Sequence, residues 1–310
     1  MKFSDNAFER AGLQRPLGDL SSFVVEAVPA LLGGQLDAFG AEVARIARIV
    51  DSAFFADTAE LSEPQSRLAC ADMAILNQAC GHAGVAMPAN LAMLLANLAG
   101  RHGRWPTMLY EDCVLNNPID VDPRLFTTGD TGDCERDFLR LHRCIEDAIG
   151  AVIRHLADMA GGENRLALIA ACDLHIKTAT ECFAAFHAMP RDLFAQFRGF
   201  YATPPNGRHL GVGGRFSESI NTLRIMLDGR RIAWVIPNYF NELLENMGYY
   251  PSTGRMRLMT AVENAVIRDR TFIDALAVQD EGVNKLAFRL RKFMDTATGI
   301  HFQLVKKFVA

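Results

Sequence analysis

The sequence predicts an all-α protein, and three observations carry that prediction. Apolar residues recur every three or four positions along most of the chain. Period-two alternation flanked by turn residues is nearly absent. No repeat of about 20 to 50 residues is present, which excludes a solenoid. Half of the 310 residues are hydrophobic, enough for a large core in one domain or two closely packed ones.

The spacing places helices at Leu20 to Leu32, Ala41 to Ala56, Ser66 to Cys80, Ala89 to Ala99 and Thr107 to Asn116. A long helix from Glu135 to Met159 follows, with Phe138, Leu141, Ile145, Ile149, Val152 and Leu156 on one face and Asp133 as its expected N-cap. Gly161 and Gly162 end it. Further helices are expected at Leu166 to Ala188, Arg191 to Tyr201, Ser219 to Leu227, Ala233 to Met247 and Arg255 to Ala265. The last runs from Val283 to Phe308. Two segments break this texture: the polar loop from Asn117 to Gly132, and the Gly- and Pro-rich stretch from Ala202 to Arg215. Long loops in a helical domain either bind something or are solvated connections.

The net charge is −4 and the isoelectric point about 6.1, with no basic patch, so no nucleic-acid partner is expected. No run of about eighteen apolar residues exists, so no membrane span is expected. The first twenty residues carry acidic side chains and no apolar signal region, which predicts a cytoplasmic protein. The cysteines are Cys70, Cys80, Cys113, Cys134, Cys144, Cys172 and Cys182, with no CxxC and no CxxCH. Reduced thiols are therefore expected. P-loop, Rossmann glycine and Gly-x-Ser-x-Gly patterns are missing, which removes the nucleotide and hydrolase readings.

His301 is the candidate with the most chemical content. Leu286, Leu290, Phe293, Met294, Ala297, Leu304, Val305 and Phe308 form the apolar stripe of the last helix, and His301 falls on it. An imidazole on such a face needs a hydrogen-bond partner or a metal.

Four segments bear on that choice: Tyr110 to Asn117, Phe194 to Tyr201, the Gly213-Gly214-Arg215-Phe216-Ser217 loop, and Gly299 to Phe308. In order and separation they resemble segments of the indoleamine 2,3-dioxygenase-like haem superfamily. Asn117-Pro118 and Val212-Gly213-Gly214 are most similar to its monodechloroaminopyrrolnitrin synthase branch. The resemblance covers Trp105 to Ala310. It implies a helical bundle with haem b between helices and the two long loops, formed by a haem-binding domain over 105–310 with an amino-terminal helical region, 1–104, packed on it.

The resemblance also implies roles for individual residues. His301 corresponds to the proximal haem ligand, and Gly213, Gly214 and Arg215 to the loop beside haem and substrate. Arg198 corresponds to the arginine that holds a substrate carboxylate, a task suited to its planar fork. Phe194, Phe197, Tyr201, Cys113 and Asn117 are expected to line the substrate pocket, although a Phe stripe or a buried thiol also suits plain core. Tyr110 and His142 are the candidates for the distal, catalytic side. Two positions depart from the family. Thr298 stands where those enzymes have an arginine, and Leu141 and His142 stand nearest to where they have a serine.

The expected function is a haem-dependent oxygenase that oxidises tryptophan or a related aromatic amino acid in specialised metabolism, with oxygen or peroxide as oxidant. A homodimer is compatible with this reading. The alternatives are a haem-dependent tyrosine or phenol hydroxylase using peroxide, and a non-catalytic helical binding protein without haem.

Overall fold

The computed structural model describes residues 15–203, 217–250, 252–267, 271–277 and 280–309. Among these the protein is all-helical, without strands. Its helices are α1 (Asp19–Ser22), α2 (Val28–Leu32), α3 (Leu36–Ala47), α4 (Ser52–Ala59), α5 (Glu63–His82), α6 (Ala89–Arg101), α7 (Gly129–Ala160), α8 (Arg165–Ala188), α9 (Arg191–Arg198), α10 (Glu218–Asp228), α11 (Ile232–Val235), α12 (Tyr239–Glu245), α13 (Ser252–Ile267), α14 (Phe272–Ala277) and α15 (Glu281–Val309). None of the described helices is long and apolar enough to cross a membrane.

Several boundaries differ from the sequence reading, each for a local reason. The helix expected over Leu20 to Leu32 is interrupted by a π turn, Phe23–Ala27. The helix expected over Ala41 to Ala56 is two helices, because Asp51 turns out of the helical path and its carboxylate accepts from Phe54 N at 2.9 Å, starting α4. The helix expected over Thr107 to Asn116 is a single π turn, Glu111–Leu115. Asp133 does not cap α7: the helix begins at Gly129, and Asp133 pairs with Arg136 in its second turn. The helix expected over Ala233 to Met247 breaks at Pro237, after which Asn238 adopts a left-handed conformation with φ of 64°. By contrast, α5 keeps its expected place and gains a capping box from Ser62 and Gln65.

The chain forms two compact units, residues 1–140 with 190–214, and residues 141–189 with 215–310. In the first unit α5 is the central element: Leu68, Ala69, Cys70, Ala71, Met73, Leu76 and Ala79 are buried all round it. In the second, α8 and α15 pack side by side, with Phe183 against Phe293 and Arg289 bridging Asp173. There α10 packs on α13 at Gly254, where a Cβ would stand 2.5 Å from Glu218 Cγ, so any side chain at 254 would force the Glu218 side chain to move.

Candidate functional site

Most of the candidate residues fall in the first unit, around α9. Pro190 precedes this helix, and the chain continues from Arg198 into a 3₁₀ turn, Gly199–Tyr201. Spacings of three and four put Phe194, Phe197 and Tyr201 on one face. All three are buried. Phe138 of α7 meets Phe194 and Phe197 with ring centroids 5.5 Å away in each case, and Tyr201 at 5.8 Å. Phe126 stacks on Phe200 at 4.9 Å and meets Tyr201 edge-on at 5.6 Å. The rings thus occupy one another's faces.

Inside this aromatic cluster lies a carboxylate that the sequence reading did not single out. Glu135 is wholly buried in the first turns of α7. Tyr201 Oη donates to its Oε1 at 2.7 Å, and Phe126 N donates to the same oxygen at 2.9 Å. Thr127 donates to Oε2 from its amide at 2.9 Å and from its hydroxyl at 2.5 Å. Burial pushes the Glu135 carboxyl up to about 7, and these donors pull against that rise. The sequence carried a signal: Glu135 stands three residues before Phe138 and four before Leu139, a carboxylate in line with an apolar stripe.

Arg198 flanks the same face, four residues after Phe194 and three before Tyr201. It is half-buried and makes neither an ion pair nor a hydrogen bond with a described residue. Burial lowers its pKa, the direction expected of a guanidinium without a counter-anion.

The π turn places the remaining candidates of this unit. Tyr110 and Cys113 are buried, and burial raises the Cys113 thiol well above its ordinary value, with Asp112 and Glu135 adding to the rise. The neighbouring acids fix the turn in place. Asp112 is paired with Arg104 in full burial, while Glu111 accepts from Arg67 Nη1 at 3.0 Å. Asn117 is a backbone clamp: its Nδ2 donates to Arg124 O at 2.9 Å, and its Oδ1 accepts from Arg124 N at 2.8 Å. Both ends of its amide thereby close the loop onto Arg124.

His142 belongs to the second unit, half-buried and edge-on to Phe186 at 4.8 Å. His301 follows the backbone of α15, but its side chain lies outside the described residues, as do Gly213, Gly214 and Arg215. One turn earlier, Thr298 Oγ1 accepts from Arg224 Nη2 at 2.7 Å.

A cavity of about 350 Å³ lies elsewhere in the first unit, between Pro16, Leu17, Ile49, Phe54, Thr58 and Leu61, and none of the candidate residues lines it. Among the described residues no group of three or more His, Cys, Asp or Glu is placed to hold a metal ion. Haem ligated by one histidine is a different donor set. No protein-family model matches the chain, and no curated protein matches it in sequence.

Proposed function

We propose that the chain is a haem-dependent oxidoreductase of the indoleamine 2,3-dioxygenase-like superfamily, acting on tryptophan or a related aromatic amino acid in specialised metabolism. Arg198 is the observation that carries this reading. A half-buried cation with no counter-charge among the described residues, flanked by an aromatic cluster, is suited to an anion attached to an aromatic group. The four family-like segments, in order along the chain, support the same reading.

Arg224, whose guanidinium bonds Thr298 one turn before His301 in sequence, would offer positive charge to a propionate if haem bound there. Haem bound through His301 would supply the redox chemistry with oxygen or peroxide. The chain's own residues bind and orient. Arg198 takes the substrate carboxylate bidentately. Phe138, Phe194 and Phe197 form the dry wall behind it, and Glu135 fixes the Tyr201 hydroxyl so that the wall keeps its shape. His142, on the second unit, is the residue proposed to hold or deliver a proton.

The test is the visible spectrum of protein expressed with a haem precursor, beside His301→Ala. A Soret band that survives purification in the wild type and collapses in the variant supports the assignment. A colourless wild type, or a band untouched by the substitution, removes it. Difference spectra with tryptophan and with tyrosine then sort the substrates, and Arg198→Ala is expected to weaken binding of the better one by about tenfold or more, the worth of a charge-assisted hydrogen bond.

A further inference from the structure

Helices α7 and α8 carry a pair of cysteines for which the haem reading has no use. Cys144 and Cys182 face each other with their Sγ atoms 2.6 Å apart. That is well inside the sum of two sulfur van der Waals radii and about half an ångström from the length of a disulfide bond. The register that creates the contact is held at two other points along the same helix pair. His142 meets Phe186 on one side of it, and His155 stacks on His175 at 5.5 Å on the other. Cys144 is half-buried, within reach of a small oxidant, and Cys182 is nearly covered.

The other five cysteines are buried and none is paired in this way. Burial pushes the thiols of Cys70, Cys80 and Cys172 up to about 12, which leaves almost no thiolate. Cys144 differs: the hydrogen bond from Cys182 lowers its pKa, and the same contact raises that of Cys182. Cys144, the more exposed of the two, is the sulfur a small oxidant reaches first, and Cys182, nearly covered, is the resolving one.

We propose that Cys144 and Cys182 are a redox modification site, closing to a reversible disulfide that cross-links α7 to α8, with hydrogen peroxide as the oxidant. The Cys144 thiolate attacks one peroxide oxygen; the O–O bond breaks, Cys144 becomes a sulfenic acid, and the departing hydroxide takes a proton to form water. The Cys182 sulfur then attacks the Cys144 sulfur and expels hydroxide, which leaves as a second water carrying the Cys182 proton. Two thiols and one peroxide give one disulfide and two waters, with two electrons passing from sulfur to oxygen. A small dithiol reverses the step by exchange.

Peptide mapping of the full chain tests this. The reduced protein is treated with hydrogen peroxide while folded, then alkylated under denaturing conditions and digested. A Cys144–Cys182-linked peptide is expected as the dominant product, with the intact mass lower by two hydrogens and restored by dithiothreitol. Cross-linking should raise Tm by several degrees, because the bond restrains the unfolded chain. In Cys182→Ser that rise should vanish, and dimedone should label Cys144 instead. The proposal is overturned if both cysteines remain fully alkylated after peroxide treatment of folded protein, or if Cys144 is recovered linked to a different cysteine.

Discussion

The two units solve the problem of buried polar groups differently. In the first, charges are buried and paired: Arg124 with Asp72, and Arg104 with Asp112, all with side chains no more than 2% exposed. Glu135 sits nearby with its donors. In the second, most ion pairs lie near the surface, as in Arg289 with Asp173, at 39% and 43% exposure. The difference follows from secondary structure. The first unit contains the irregular segment between α6 and α7, whose amides and carbonyls have no helical partners and must be satisfied by side chains. Asp112 accepts from Leu109 N at 2.8 Å, Glu135 from Phe126 N and Thr127 N, and Arg124 donates to Asp122 O at 2.8 Å. The second unit is dominated by long helices that satisfy their own backbone, so most of its ion pairs can stay near the surface, although Glu146 and Glu218 are buried. The irregular backbone of the first unit draws charge into its core.

The sharpest way to break this contrast is to strip one partner from a buried pair. Arg124→Ala leaves the Asp72 carboxylate buried without its cation and should cost about 3 to 5 kcal/mol in urea denaturation. Replacing both partners with apolar residues of similar volume should recover much of that loss. If the double variant is as unstable as the single one, the pair holds the loop by hydrogen bonding rather than by charge balance.

Glu135→Gln comes next, at roughly 2 to 3 kcal/mol, because the amide nitrogen must face a donor whichever way it is turned. This variant also tests the pH dependence. Folded protein holds the Glu135 proton up to about pH 7, whereas the unfolded chain releases it near 4.5. Between those values the folded state binds more protons, so this group makes stability fall as pH rises, by roughly 3 kcal/mol across the window. Urea midpoints at pH 5 and pH 7 should show that fall in the wild type and lose this part of it in Glu135→Gln.

In the second unit the vulnerable point is packing. Gly254→Ala drives a methyl into Glu218 and should cost about 1 to 3 kcal/mol, read as a lower Tm. The smallest effect belongs to Arg289→Ala, at about 1 kcal/mol or less, because both partners are solvent-exposed. A double-mutant cycle with Asp173→Ala measures it. A coupling as large as that of a buried pair would erase the contrast between the units.

Particular residues show how far the sequence could be read. The helix expected from Leu166 to Ala188 is α8 almost to the residue, its start fixed by the Asn164 side chain accepting from Ala167 N. Over Thr107 to Asn116 the apolar spacing misled. Met108, Leu109, Tyr110, Cys113 and Val114 are indeed buried, yet only one π turn forms. Apolar spacing there reported burial alone, while Arg104 and Arg67 drew Asp112 and Glu111 inward and fixed the backbone. Of the candidate residues, the shared buried face of Phe194, Phe197 and Tyr201 was legible from spacing. Glu135 was not read, because its donors are the amides of an irregular loop at Phe126 and Thr127 and the hydroxyl of Tyr201, 66 residues on. Asn117 was legible as special but not as a clamp, since only the return of Arg124 shows where its amide goes.

The sequence by itself determined the helical class and the approximate course of most helices. These follow from local periodicity and capping, which need only neighbouring residues. The tertiary structure alone decided which charges are buried, which carboxylate stands among the aromatic rings, that Arg224 reaches Thr298, and that Cys144 meets Cys182. Each of these is a contact between residues distant in the chain, and its energy depends on a desolvated geometry that no local pattern encodes.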